Sequence, residues 1–236
     1  ASTRWREVEN LAGSVDAEVL RQLLAGVDGL VETTTRWFIG RSGTEPIVER
    51  IEAYRTGFVE IANEIRSMGP KQWQNRLGRR MKRFVDLGVP EEIAIAHVFQ
   101  VELVHAPDII DVAADTGLPL RDVGRAFYRV GHAFHIDWLE REIKSLPAST
   151  RWQRWATLSL EQELMSLRRA IVERVLSEDH DGDVDAAFSL FAEAMAVERE
   201  RLSQLVSLLR RDGVSDSAAV VVALRQMMTL AGVRSP

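Results

Sequence analysis

Residues 88–119, GVPEEIAIAHVFQVELVHAPDIIDVAADTGLP, decide the fold class. The stretch begins with Gly88-Val89-Pro90 and ends with Gly117-Leu118-Pro119, and Gly69-Pro70 repeats the device upstream. Glycine closes a helix by taking the left-handed conformation. Proline opens the next near its first turn, where its missing N–H costs nothing. Between the two boundaries, the spacing predicts a helix from Pro90 to about Val104 and a short one from Pro107 to Thr116.

Reading outward gives the same answer. Val19, Leu20, Leu23, Leu24, Val27, Leu30 and Val31 are spaced for a helix from about Asp16 to Ile39, with Gly26 and Gly29 either weakening it or admitting close packing. Thr44 is a cap, and Pro46 starts a helix to about Met68 with a stripe of Ile47, Ile51, Tyr54, Phe58, Ile61 and Ile65. After Pro70, a helix carries Trp73, Leu77, Met81, Phe84 and Val85 on one side and Arg76, Arg79, Arg80, Lys82 and Arg83 on the other. The pattern from Pro119 continues to Leu146, with a bend at Gly131. Ser149 caps a long helix to about Ser177, Asp183 caps one to Arg211 that Gly213 ends, and Ser215 caps a last one through Leu230. The expectation is an all-α, multi-helix bundle of about nine helices with no strand. It forms a single domain over 1–236, with two sub-bundles divided near 147 as the alternative. The uneven spacing of the boundaries argues against a regular solenoid.

Composition narrows the function classes. The 236 residues are 46% hydrophobic, enough for a sizeable core. A net charge of −5 disfavours a general nucleic-acid or anionic-membrane binder. Cysteine is absent, which excludes disulfides, thiolate catalysis and Cys-ligated metal, and fits a reducing cytoplasm. No run approaches the roughly 18 apolar residues of a spanning helix. No signal peptide is visible.

Several patterns invite chemistry and are weighed against plainer readings. There is no GxGxxG, no GxxxxGK[ST] and no strand on which to place one, so nucleotide binding within this chain is not expected. His132 and His135 are at i, i+3 on one helix face with Asp137 nearby, but a zinc site needs a further ligand, and solvated or hydrogen-bonded histidines on an amphipathic helix are the preferred reading. His97, His105 and His180 add no metal spacing. Asp179-His180-Asp181-Gly182-Asp183-Val184-Asp185 is rich in oxygen ligands, yet neither possible register places Gly sixth or Glu twelfth, as a calcium loop needs. An acidic loop ending in the Asp183 cap is preferred.

Asp108 to Val130 has the spacing of a helix-turn-helix, with Ala113 at the crossing, Gly117 at the turn, Val123 packing back, and Arg121, Asp122 and Arg125 on the second helix. From Pro90 to Gly131, seven acids face three arginines, which opposes phosphate contacts. A DNA-binding regulator over 108–130 is therefore only the alternative function. The basic face from Arg76 to Arg83 reads as solvated surface, and Trp152 with Trp155 as the start of a packed face. Val197, Leu202, Leu205, Leu208 and Leu209 suit packing on a partner helix. No residue is assigned a catalytic, cofactor-binding or metal-binding role.

One resemblance adds to this reading. Gly88-Val89-Pro90-Glu91-Glu92, Asp108-Ile109-Ile110-Asp111-Val112-Ala113, Val130-Gly131, Ile136-Asp137-Trp138-Leu139, Leu146-Pro147 and Trp152-Gln153 follow one another in order, preceded by Thr35-Arg36-Trp37-Phe38. With these, the chain from about Gly88 to Leu176 resembles the carboxy-terminal region of the large bacterial NAD-specific glutamate dehydrogenases. The residues after Ser177 carry no matching motif. The resemblance implies a parent enzyme that oxidatively deaminates L-glutamate to 2-oxoglutarate and ammonia while reducing NAD. Its catalytic lysines and dinucleotide fold lie upstream of the matched region, so no catalytic residue carries over and NAD belongs to the parent. Taken with the charge, the absence of cysteine and the helical stripes, the expectation is a cytoplasmic homo-oligomer in which this piece contacts the catalytic domain of the same polypeptide, with neither nucleic acid nor membrane as partner. A start at Ala1 rather than Met fits a piece of a longer chain.

Overall fold

The computed structural model describes residues 2–40, 46–177, 183–213 and 217–232. Among these there is no strand, only an isolated bridge between Ala12 and Val15. Twelve α-helices occur: α1 (Ser2–Glu9), α2 (Ala17–Gly40), α3 (Ile47–Met68), α4 (Lys71–Asp86), α5 (Glu91–Glu102), α6 (Ala106–Thr116), α7 (Leu120–Ala133), α8 (Ile136–Ser145), α9 (Arg151–Leu176), α10 (Val184–Ala194), α11 (Ala196–Asp212) and α12 (Ser217–Leu230). The all-α reading holds. The three additional helices are α1 and the products of two splits. The segment from Pro119 breaks between α7 and α8, and the segment from Asp183 breaks at Met195.

The chain forms two compact units, Ala1–Gly124 and Arg125–Pro236. Their boundary falls inside α7, and the Leu146-Pro147 corner lies within the second unit. In the first unit α5 packs on α2 and α4, and α3 on α6. Val19, Leu23 and Val27 of α2 meet a core built from Ile61, Ile65, Trp73, Leu77, Phe84, Ala94, Val98, Ile109 and Val112. In the second unit α9 packs against α8, α10 and α12. Leu164, Ile171, Val172 and Val175 supply its buried face. Burying each such aliphatic side chain contributes about 1.5–3 kcal/mol against exposure.

Joined by a 3₁₀ turn at Leu103–His105, α5 and α6 run on as 26 helical residues from Glu91 to Thr116. At a mean hydropathy of 1.3 over its most apolar window, this rod is long and apolar enough to cross a membrane, which two separate short helices did not foreshadow. Its apolar residues Ala94, Val98, Ala106, Ile109 and Val112 are instead inaccessible in the core of the first unit. The length of a core helix explains the match.

The Gly-Pro boundaries use two different devices. Gly88 (φ 88°) and Gly117 (φ 72°) are left-handed, and the Gly117 N–H closes α6 on the Ala113 carbonyl at 2.9 Å. Gly69 is extended (φ −83°, ψ 155°), contrary to expectation, because it directly precedes Pro70, whose ring disfavours helical backbone there; the indole of Trp73 lies flush against it where a side chain would collide. At the amino end of α9 the cap is Thr150, one residue beyond the expected Ser149. Its hydroxyl accepts from the Gln153 N–H at 3.1 Å, and the Gln153 side chain accepts from the Thr150 N–H at 3.0 Å, a complete capping box. Asp183 caps α10 as expected. Thr44 and Ser215, the other expected caps, lie outside the described residues.

Candidate functional site

Among the described residues five polar side chains are buried, Asp108, Asp111, His97, His105 and Arg168, and four of them form three centres. In the first unit Asp108 and Asp111 project from one side of α6 and are both buried. The Trp37 indole of α2 donates to Asp108 Oδ1 at 3.0 Å, and the Tyr54 hydroxyl of α3 donates to Asp111 Oδ1. Trp37, Phe38 and Tyr54 stack edge to face with centroids 5.0–5.3 Å apart. This arrangement ties three helices together through aromatic donors, which bury carboxylates at lower cost than apolar walls would.

The second centre is His97 on α5. It faces the edge of Phe84 at 5.0 Å and fills the space opened by Gly26, which settles that glycine as a close-packing site. Its Nε2 is buried without a hydrogen-bond partner among the described residues. Burial, reinforced by the positive charge of Arg80, pushes its pKa down to about 4, so the ring is neutral at pH 7. Arg80 belongs to the basic face of α4. Desolvation pulls its guanidinium below the ordinary value although the residue as a whole is exposed, with Arg76 and Arg83 adding to the shift and Glu102 opposing it.

The third centre is Arg168 of α9, which is inaccessible to solvent. Its Nη2 donates to the Phe127 carbonyl at 3.0 Å, its Nη1 lies 3.4 Å from Asp137 Oδ1, and its guanidinium sits 4.2 Å above the Phe127 ring. Gly131 makes room for it: a β-carbon there would overlap both the guanidinium and the Asp137 carboxylate. The Gly131 position is therefore a packing site, and the chain does not bend there. The break comes at Phe134-His135. Phe134 is fully buried against Phe188 and Phe191, and His135 alone among the described non-glycine residues has a positive φ, 59°. Such a conformation costs energy and persists only when its surroundings enforce it.

That break removes the premise of a shared His132–His135 helix face. His132 ends α7, while His135 precedes α8 and contacts Ser203 Oγ at 3.3 Å. Burial, then Arg210 and His132, lowers the His135 pKa. Among the described residues, no three of His, Asp and Glu cluster as metal ligands. Asp179, His180, Asp181 and Gly182 lie outside the described residues. Asp185, the last acid of that loop, pairs with Arg125 and Arg129.

The helix-turn-helix spacing is realised as a tight corner. Ala113 and Val123 are buried, Gly117 makes the turn, and Arg121 lies 3.6 Å from Glu64. Arg125 pairs with Asp185. Trp152 and Trp155 depart most from expectation. They are 80% and 60% exposed instead of packed, and Trp138 is half-buried under Arg210. Ile51 of α3 and Val197 and Leu208 of α11 are likewise exposed, while the α11 core is Leu202 and Val206.

The model of a protein family described as "Glutamate dehydrogenase, C-terminal" matches residues 1–229. The chain belongs to this family. Within the glutamate dehydrogenase C-terminal family it is similar to the NAD-specific glutamate dehydrogenase of Pseudomonas aeruginosa, 29% identical over 233 residues. That alignment takes in 96% of this chain and 14% of the relative. The enzyme of the same description from Halomonas elongata is 22% identical over 175 residues, which are 74% of this chain and 11% of the relative. The chain thus spans about a seventh or less of the length of these relatives. The family match extends past Ser177, beyond the motifs that carry the resemblance in sequence, and so includes α10, α11 and most of α12.

Proposed function

We propose that this chain is the carboxy-terminal helical domain of a NAD-dependent glutamate dehydrogenase that deaminates L-glutamate to 2-oxoglutarate and ammonia. In this reading the domain is structural. It supports the catalytic part of the same polypeptide and takes part in assembly of a cytoplasmic homo-oligomer. The glutamate- and NAD-binding residues belong to the remainder of the enzyme. The observation that carries the proposal is the family match over residues 1–229, set beside relatives of which so small a fraction is aligned. The buried polar groups favour it too. Asp108, Asp111 and Arg168 each bond to neighbouring helices or to their backbone, as groups that hold helices in register do.

Deleting residues 1–236 from the full-length polypeptide tests the proposal. The expected result is loss of the native oligomer by sedimentation and at least a tenfold fall in glutamate-dependent NADH formation. Unchanged assembly together with unchanged turnover overturns it. The isolated chain is expected to produce no NADH from glutamate, and measurable turnover by it overturns the assignment of the chemistry elsewhere.

A further inference from the structure

The amino-terminal part of α9 keeps one side open. Within α9 no residue before Leu160 is fully buried; Gln153, Thr157 and Leu158 are half-buried, and the other six of the nine residues from Arg151 to Ser159, about 13 Å of helix, are exposed. Trp152 and Trp155 are three positions apart and share one face with Ala156 and Ser159. At 80% and 60% exposure, the two indoles leave on the order of 300 Å² of aromatic surface in water. A patch of that size on a monomer is commonly functional.

Hydrogen bonds hold the start of the segment. The Thr150–Gln153 capping box closes its first turn, Ser149 Oγ donates to Gln153 Oε1 at 2.8 Å, and Arg154 Nη1 reaches the Ala148 and Ser149 carbonyls at 3.2 Å each. Pre-ordered tryptophans flanked by arginine are what the energetic centre of an interface requires, because little conformational entropy remains to be lost on docking. An area of this size is the centre of an interface and not its whole extent, since a stable one covers about 800 Å² per partner.

We infer that the Trp152–Trp155 face of α9 is the docking surface by which this domain seats on the remainder of its own polypeptide. This inference rests on the domain reading above. The occupant follows from proportion: the aligned relative extends well beyond this chain, with 86% of its length outside the aligned region. The exposed Trp152–Trp155 pair is accordingly assigned to that larger part.

Hydroxyl-radical footprinting of the full-length polypeptide, read by mass spectrometry at each tryptophan, tests this. Trp73, inaccessible in the first unit, is the internal standard for a folded domain. With Trp73 protected, Trp152 and Trp155 are expected to oxidise at least tenfold more slowly in native enzyme than in denaturant, and equally slowly on dilution. Oxidation as fast as in denaturant overturns the docking surface. Protection that disappears on dilution, in step with subunit dissociation, assigns the face to a second copy and also overturns it. Glutamate-dependent NADH formation by the same preparation, and its loss on deletion of the domain, report separately on the underlying reading.

Discussion

The buried polar centres of the two units are built from different groups. The first places Asp108 and Asp111 on α6 and meets each with a neutral aromatic donor, Trp37 or Tyr54. The second places one guanidinium, Arg168, at its centre and surrounds it with a carbonyl, a carboxylate and a ring face. Removing one neutral donor from the first centre costs a hydrogen bond. Removing the cation from the second takes the Arg168 contact away from the largely buried Asp137 carboxylate and opens a hole under Phe127. The comparison teaches that Asp137, Phe127 and Gly131, which look unrelated along the chain, form a single device that fixes α7, α8 and α9 in one register.

Arg168→Ala is the strongest attempt to break that comparison. Cutting one partner out of a buried ion pair costs about 3–5 kcal/mol. Hydrogen exchange should show the loss in α7–α9, with the α2–α5 amides retaining their protection. A loss below about 1 kcal/mol would mean that Arg168 is not the keystone of its unit.

The first unit has a titration of its own. The His97 pKa is near 4 when folded and about 6.5 when unfolded, so between those values the unfolded chain takes up a proton that the folded chain refuses. Stability is therefore full above pH 6.5, declines as pH falls toward 4, and levels off below. The total corresponds to about 3 kcal/mol. Urea midpoints of wild type and His97→Leu across this window isolate the effect from the carboxylates, which titrate in both. Parallel curves would show that His97 is not held neutral by the fold.

A smaller change sharpens the contrast. Tyr54→Phe keeps the aromatic stacking and removes one donor to Asp111, and should cost about 1–2 kcal/mol. The ratio of this loss to that of Arg168→Ala is the quantitative form of the comparison. Equal losses in thermal denaturation would show that the two centres are equivalent.

These centres also mark where sequence reading stops. Helix ends were legible wherever local chemistry decides them: Gly117 and Pro119 around the α6–α7 corner, Asp183 at the start of α10, Gly213 after α11. The break at His135 was not. No glycine marks it, and it exists because Phe134 is drawn into a cluster with two phenylalanines more than fifty residues away. Arg168 was invisible for the same reason, since an arginine on an amphipathic helix reads as surface unless one knows that Gly131 lies opposite. Trp152 and Trp155 show a third limit. Periodicity assigns residues to a face of a helix but cannot say whether anything is packed against it.

The smallest prediction concerns that open face. Thr150→Ala removes the hydroxyl that accepts from the Gln153 N–H, while the Gln153 side chain can still reach the Thr150 backbone. Loss of an N-cap oxygen costs about 1 kcal/mol. No residue between Arg151 and Ser159 is buried, so tertiary packing cannot compensate locally, and the cost should appear as fraying of the first turns of α9 while the Leu160–Leu176 portion stays intact. Hydrogen exchange resolved along α9 measures this directly. Faster exchange confined to the turns that carry Trp152 and Trp155 ties their presentation to the capping box. Unchanged exchange there would mean that Arg154, through the Ala148 and Ser149 carbonyls, suffices to hold the exposed start of the helix in place.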